Sequence, residues 1–142
     1  MKSIEFRVDG IPVGQPRPRA CIRGKHAGMY DPGTANKWKQ QVKSAAALAF
    51  AKAGTFAARL PLSVRMVFGM PRPKSHFKSI YVRPNAPHWH TSKPDSDNLA
   101  KAVLDALVDC GVIDDDKRVA LLYASKSYCT DPGCQITIGE LE

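Results

Sequence analysis

Acidic residues are nearly missing from the first two thirds of this chain. Residues 1–94 hold 17 Lys and Arg but only Glu5, Asp9 and Asp31, whereas residues 95–142 hold 4 basic residues and 10 acids. The two parts carry +14 and −6, within a formal net charge of +8 over 142 residues. Long apolar runs are missing too. None approaches the ~18–20 residues needed to cross a bilayer, and the opening Met-Lys-Ser-Ile-Glu-Phe has no secretory apolar core, so a cytoplasmic protein without a membrane partner is expected. Cysteine is scarce: Cys21, Cys110, Cys129 and Cys134 form no CxxC pair and have no well-spaced histidine. A zinc site is therefore poorly supported, and reduced thiols are expected. There is no internal repeat and no low-complexity segment.

The 44% hydrophobic content and the length suit one compact domain over residues 1–142. Excess positive charge favours a polyanionic partner by steering and counterion release, although a ribosomal or membrane surface fits the same number. The clustered acids need another reason. Carboxylates gathered in one region repel a polyanion unless something neutralises them, and a divalent cation does so.

Ile4, Phe6 and Val8 alternate with Glu5 and Arg7, which predicts a strand closed by Gly10. Residues 14–28 are basic and broken by Pro and Gly, which predicts a mobile loop presenting Arg17, Arg19, Arg23 and Lys25 to phosphates. From Thr34 as N-cap to Gly54 as C′, the stripe Trp38, Val42, Ala45, Ala46, Ala49 and Phe50 predicts an amphipathic helix. Leu62, Val64, Met66 and Phe68 predict a second strand ending near Gly69. Residues 70–94 carry five prolines with Arg72, Lys74, Lys78, Arg83 and Lys93, interleaved with Phe77, Tyr81 and Trp89. This basic, Pro-rich loop reads equally well as a nucleic-acid-facing surface or as an excursion whose rings pack back onto the domain.

A second helix follows Asp97, with Leu99, Ala102, Val103, Ala106, Leu107 and Cys110 on one face, Asn98, Lys101 and Asp105 on the other, and Gly111 as its stop. Two strands, around 119–125 and 135–141, are joined through the turn Asp131-Pro132-Gly133. The expected fold is α+β: a small single domain with a mixed sheet of about four strands and two main helices.

Asp95 and Asp97 stand two residues apart where the chain leads into that helix, so both carboxylates can turn to one side. Mg²⁺ is held by one or two carboxylates plus water and phosphate oxygens, so a sparse site suits phosphodiester chemistry. The turn Asp114-Asp115-Asp116 can fold back towards the helix N-terminus and bring a third acid near Asp97. Lys101, one helical turn beyond Asp97, is placed to stabilise charge at a phosphate. Singly, each has an ordinary explanation: Asp97 as an N-cap, Lys101 as a solvated ion-pair partner, three aspartates as a hydrated turn. An EF-hand is excluded because Leu99 and Ala100 stand where oxygen ligands and glycine are required. A haloacid-dehalogenase phosphatase is weak because Pro87-His-Trp-His-Thr-Ser-Lys-Pro94 precedes the Asp-x-Asp in place of an apolar strand. His88 and His90 read as loop residues flanking Trp89, and His26 and His76 have no evident partner.

Lys93-Pro-Asp-Ser-Asp-Asn-Leu-Ala-Lys-Ala-Val-Leu-Asp-Ala-Leu107, followed by Gly111-Val-Ile-Asp-Asp-Asp-Lys-Arg-Val119, resembles the signature of RusA Holliday-junction resolvases. Tyr30-Asp-Pro is similar to phage-borne members. The resemblance implies a homodimeric, Mg²⁺-dependent endonuclease, with Mn²⁺ able to substitute, that makes paired nicks in four-way and related branched DNA during recombination and repair. It puts the metal-binding aspartates on Asp95, Asp97 and Asp116, with Asp115 adjoining, and the essential lysine on Lys101. Asp105 matches an aspartate on the helix. Asp114 departs from the pattern by adding a third consecutive acid, which leaves the choice between Asp115 and Asp116 open. Arg17, Arg19, Arg23, Lys25, Arg72, Lys74, Lys78 and Lys93 are the expected DNA-contacting cations. The apolar face of either helix is a candidate dimer surface. The rivals are a non-catalytic branched-DNA-binding protein and a nucleotide phosphohydrolase.

Overall fold

Alternation of apolar and polar residues builds the central sheet. A computed structural model describes residues 2–142, except the side chains of Arg19 and Arg23. Strands β1 (Ser3–Asp9), β4 (Leu62–Pro71), β7 (Val119–Cys129) and β8 (Gly133–Glu140) form a mixed sheet in the order β1-β8-β4-β7. β8 runs antiparallel to both β1 and β4, while β4 and β7 are parallel. A parallel neighbour requires a crossover, and the long connection from β4 to β7 supplies one that contains α2 (Ser96–Asp109). The register stacks Ile4, Ile138 and Val64 across three strands, then Phe6, Ile136 and Met66, then Val8, Cys134 and Phe68. Helix α1 (Asn36–Ala53) and α2 cover this face with Trp38, Val42 and Ala46 and with Leu99, Ala102, Val103, Ala106 and Leu107. The opposite face carries Glu5, Arg7, Ser63, Arg65 and Thr137. The expected α+β class is thus observed. Burial pushes the Cys134 thiol up to about 12.

Local chemistry moved several boundaries. Helix α1 starts two residues beyond Thr34, with Ala35 at the cap position and no side-chain cap, and it ends at Gly54, whose φ of 82° favours glycine. Helix α2 is capped at Asp95, not Asp97. The expected loop at 14–28 is largely a hairpin, β2 (Arg19–Arg23) with β3 (His26–Tyr30), turning through Gly24-Lys25 with Gly24 at φ 62°. The excursion at 70–94 contains a 3₁₀ turn (Lys74–His76) and a small hairpin, β5 (Phe77–Lys78) with β6 (Tyr81–Val82). β7 runs past Ser125 to Cys129 because β4 pairs with it as far as Pro71, while its other edge pairs with the 88–90 segment. The helix faces proposed as dimer surfaces are consumed by the chain's own core. Among the described residues no helix is long and apolar enough to cross a membrane.

Leu107 is fully buried on α2, whereas Leu48 on α1 is 69% exposed. Leu107→Ala should lower the unfolding free energy by about 2–5 kcal/mol, through lost transfer energy plus a residual cavity. Leu48→Ala should change it by about 0.5 kcal/mol or less. Urea denaturation followed by circular dichroism would compare the two.

Candidate active site

The buried stripe of α2 leaves its polar side to solvent, and that side carries the motif residues. Asp95 sits at the helix N-cap in extended backbone, φ −71° and ψ 151°, yet its carboxylate makes no capping hydrogen bond. The ordinary structural use of an aspartate there is therefore not taken up. Asp97 lies exposed in the first turn, and Lys101 donates to Asp105 Oδ1 at 3.3 Å. Asp95 lines a cleft of about 780 Å³ with Lys93, Pro94, Asn98 and Arg17. The wall bearing Arg17 is pinned to the helix by the Gln15 N–H, which donates to the Asn98 carbonyl at 2.8 Å.

The acidic turn follows a different path from the one predicted. After Gly111, at φ 80°, the N–H groups of Val112 and Ile113 donate to the Leu107 carbonyl at 3.1 and 3.2 Å, and both side chains are buried. Asp114, Asp115 and Asp116 consequently meet Asp105 and Asp109 in a second cleft of about 420 Å³, shared with Gln15, Asp31 and Lys39. Asp109 lies about 18 Å along the helix axis beyond Asp97, at ~1.5 Å per residue, and the second cleft is lined by the later turns of α2 and by neither Asp95 nor Asp97. Gln15 lines both clefts, which therefore adjoin.

The three consecutive acids have different surroundings. Asp114 receives Arg118 Nη1 at 2.7 Å, and that hydrogen bond holds its carboxyl below the usual range. Asp115 accepts the Lys117 N–H at 2.9 Å, which caps the 3₁₀ turn Asp116–Arg118 and likewise lowers its pKa. Asp116 has no ion pair among the described residues. Exposed carboxylates are chemically suited to a hard divalent cation. Among the described residues, however, no three His, Cys, Asp or Glu side chains are grouped to hold a metal ion, so the expected set of Asp95, Asp97 and Asp116 is not assembled in this conformation.

Sequence reasoning missed several neighbours. Lys39 Nζ donates to Gln15 Oε1 at 2.9 Å, Gln15 Nε2 to Asp31 Oδ2 at 2.8 Å, and the Gly33 N–H to Asp31 Oδ1 at 2.7 Å, the last lowering the Asp31 pKa. Tyr30-Asp31-Pro32 was the available signal for this relay. Lys126 on β7 offered none: its ammonium donates to the carbonyls of Ser92 at 2.6 Å and Pro94 at 2.7 Å, fixing the backbone immediately before Asp95. Behind it His90 is buried against the Tyr128 ring with Nδ1 unpartnered, and loss of water, then the Lys126 charge, lowers its pKa.

The expected DNA contacts divide. Arg17 and Lys93 flank Asp95, and Lys25, Lys74 and Lys78 are exposed on the hairpins and the 3₁₀ turn. Arg72 is half-buried, donating to the Pro87 carbonyl at 2.8 Å over the Tyr128 ring, so it braces the excursion. The side chains of Arg19 and Arg23 lie outside the described residues.

The family model for "Endodeoxyribonuclease RusA" matches residues 9–139. The chain belongs to the RusA family of endodeoxyribonucleases. Its reaction is therefore scission of the DNA phosphodiester backbone, and Asp95, Asp97, Lys101 and Asp116 all fall within the matched span. The chain is also 35% identical over 144 residues, covering 99% of each protein, to YqaN of Bacillus subtilis (strain 168), described as uncharacterized. This RusA-family chain thus pairs a basic cleft at one end of α2 with an acidic cleft beside its later turns.

Lys126→Met should leave the Ser92 and Pro94 carbonyls without their charged donor and destabilise the fold by about 1–3 kcal/mol. Hydrogen exchange across 92–97 should accelerate, and unchanged exchange there would show that Lys126 does not hold the segment. The acid response of His90 has a definite sign. An unfolded histidine titrates near 6.5, so below that value the unfolded chain takes up a proton that the folded chain resists, and stability is lost as pH falls. The melting temperature should drop between about pH 7 and about pH 5, above the range where carboxylates titrate. His90→Phe should flatten that drop, as read by calorimetry.

Proposed function

We propose that this protein resolves Holliday junctions and related branched DNA, as a Mg²⁺-dependent homodimer that places paired nicks in the cytoplasm during recombination and repair. The observation that carries the reading is the solvent-facing arrangement of Asp95, Asp97, Lys101 and Asp116 within the family-matched span, with Asp95 making no capping bond and Asp116, among the described residues, free of the ion pairs that occupy Asp114 and Asp115. Asp95, Asp97 and Asp116, whose carboxylates are not grouped in this conformation, would hold the ion once drawn together on it, with Asp115 kept for the turn. When bound, the ion supplies positive charge at the scissile phosphate and at the attacking water.

The protein's own groups do the rest. The Lys101–Asp105 pair is exposed and weak, so the ammonium is free to exchange its carboxylate for a phosphate oxygen and to stabilise charge on the departing group. Arg17 and Lys93 hold the backbone on either side of Asp95, while Lys25, Lys74 and Lys78 engage the arms of the junction. A four-way junction has approximate two-fold symmetry, and two cuts need one site from each of two subunits.

Asp97→Asn and Asp116→Asn should each reduce Mg²⁺-dependent nicking of a synthetic four-way junction at least about 100-fold, with binding in a mobility-shift assay kept or strengthened. Asp115→Asn should affect nicking far less, losing mainly the stability of its turn. Calorimetric titration with Mn²⁺ should show weakened binding in the first two variants. Full nicking by Asp97→Asn would refute the assignment, and binding without nicking by the unaltered protein would establish the non-catalytic alternative.

A further inference from the structure

β7 is the outer strand of the main sheet, and its free edge is divided. Over Lys126–Tyr128 the edge is occupied: the His90 N–H donates to the Lys126 carbonyl at 3.2 Å, the Tyr128 N–H donates to the His88 carbonyl at 2.9 Å, and Trp89 bridges Ser127. Over residues 119–125 no strand lies alongside among the described residues. That open half reads Val-Ala-Leu-Leu-Tyr-Ala-Ser, without a charge or a proline. Leu121, Leu122 and Tyr123 are 54%, 48% and 44% exposed. The opposite edge of the sheet, β1, carries Glu5, Arg7 and Asp9, the charged pattern by which solvated edges avoid pairing. The open half of β7 has the composition of an interior strand.

We infer that residues 119–125 are the seam across which two copies of this chain pair, antiparallel and centred on Leu122, joining two four-stranded sheets into one of eight. Three features select a second copy as the occupant. An antiparallel two-fold about Leu122 opposes Leu121 to Tyr123 of the other copy, and the reverse, on the outer face, while the two Leu122 side chains meet on the helix side. The apolar set is therefore self-complementary. The seam is bounded: the 88–90 segment ends one side and the 3₁₀ turn Asp116–Arg118 the other, so Leu122 is its midpoint. Charges also match, because antiparallel pairing sets the acidic turn Asp114–Asp116 of one copy beside the end of the other copy's strand, where Lys126 and Arg72 lie. Tyr123 is already steadied from its own chain by Arg65, 4.8 Å from the ring centroid.

The inference rests on the nuclease reading only for the expectation that two copies act together, and its test needs neither DNA nor metal. Tyr123→Glu is placed in two double variants. Combined with Leu121→Glu, it sets two carboxylates against each other at both ends of the seam; combined with Leu121→Lys, it sets an ammonium against a carboxylate at each. Sedimentation equilibrium in metal-free buffer should give twice the chain mass of 15.5 kDa for the unaltered protein and for L121K/Y123E, and a single chain mass for L121E/Y123E. Hydrogen exchange of the unaltered protein should slow over 119–125 as its concentration is raised, and this needs no variant to fold. A monomeric unaltered protein, a dimeric L121E/Y123E, a monomeric L121K/Y123E, or dimer formation without added protection over 119–125 would each overturn the seam. Those outcomes leave the nicking assays to stand or fall separately, and a correctly paired protein that cuts nothing would leave the seam intact.

Discussion

The buried stripe of α2 is the constraint on which the rest depends. Leu99, Ala102, Val103, Ala106 and Leu107 are held against the sheet with no exposure, so the helix cannot roll, and every polar residue on its other side acquires a fixed bearing. Its two ends are fixed by different means. At the start, Lys126 reaches from β7 to hold the backbone before Asp95, and Gln15 is bonded to Asn98. At the finish, Val112 and Ile113 are drawn under the helix by the Leu107 carbonyl, which decides where the acidic turn emerges. Removing apolar contact under α2 would therefore disturb chemistry on its far side without touching a charged group.

The opposed charges of the two sequence parts meet in space. Arg17 and Lys93 come to Asp95, and Lys39 comes through Gln15 to Asp31 at the rim of the acidic cleft. Carboxylates therefore face a polyanionic substrate from within a basic surround, which lessens the repulsion that an isolated acidic patch would exert. The local pKa shifts agree: Asp31, Asp114 and Asp115 are all lowered, chiefly by hydrogen bonds from the backbone or from Arg118.

Elements whose residues alternate or recur against a single core were legible in the sequence: β1, β4, both helices and the final pair of strands. The β2–β3 hairpin was not, because every residue of β3 is exposed and such a strand leaves no apolar period to read. The cap of α2 was misplaced by two residues since Asp95 and Asp97 are the same residue type and only backbone geometry separates them. Motif residues were legible by type and spacing, but their grouping was not. The return of the acidic turn depends on Val112 and Ile113 seeking the core, a tertiary demand that the pattern of acids alone does not report. Lys126 was invisible because its role is defined by two carbonyls more than thirty residues away.

Among the described residues the two hairpins contribute nothing to the buried cluster, which draws no member from residues 14–34 or from 71–98. The exposed cations and rings of the hairpins can therefore be changed at little thermodynamic penalty, unlike Arg72 and His90, which pack against Tyr128. The surface chemistry that the hairpins present can thus change while the sheet and its two helices stay the same.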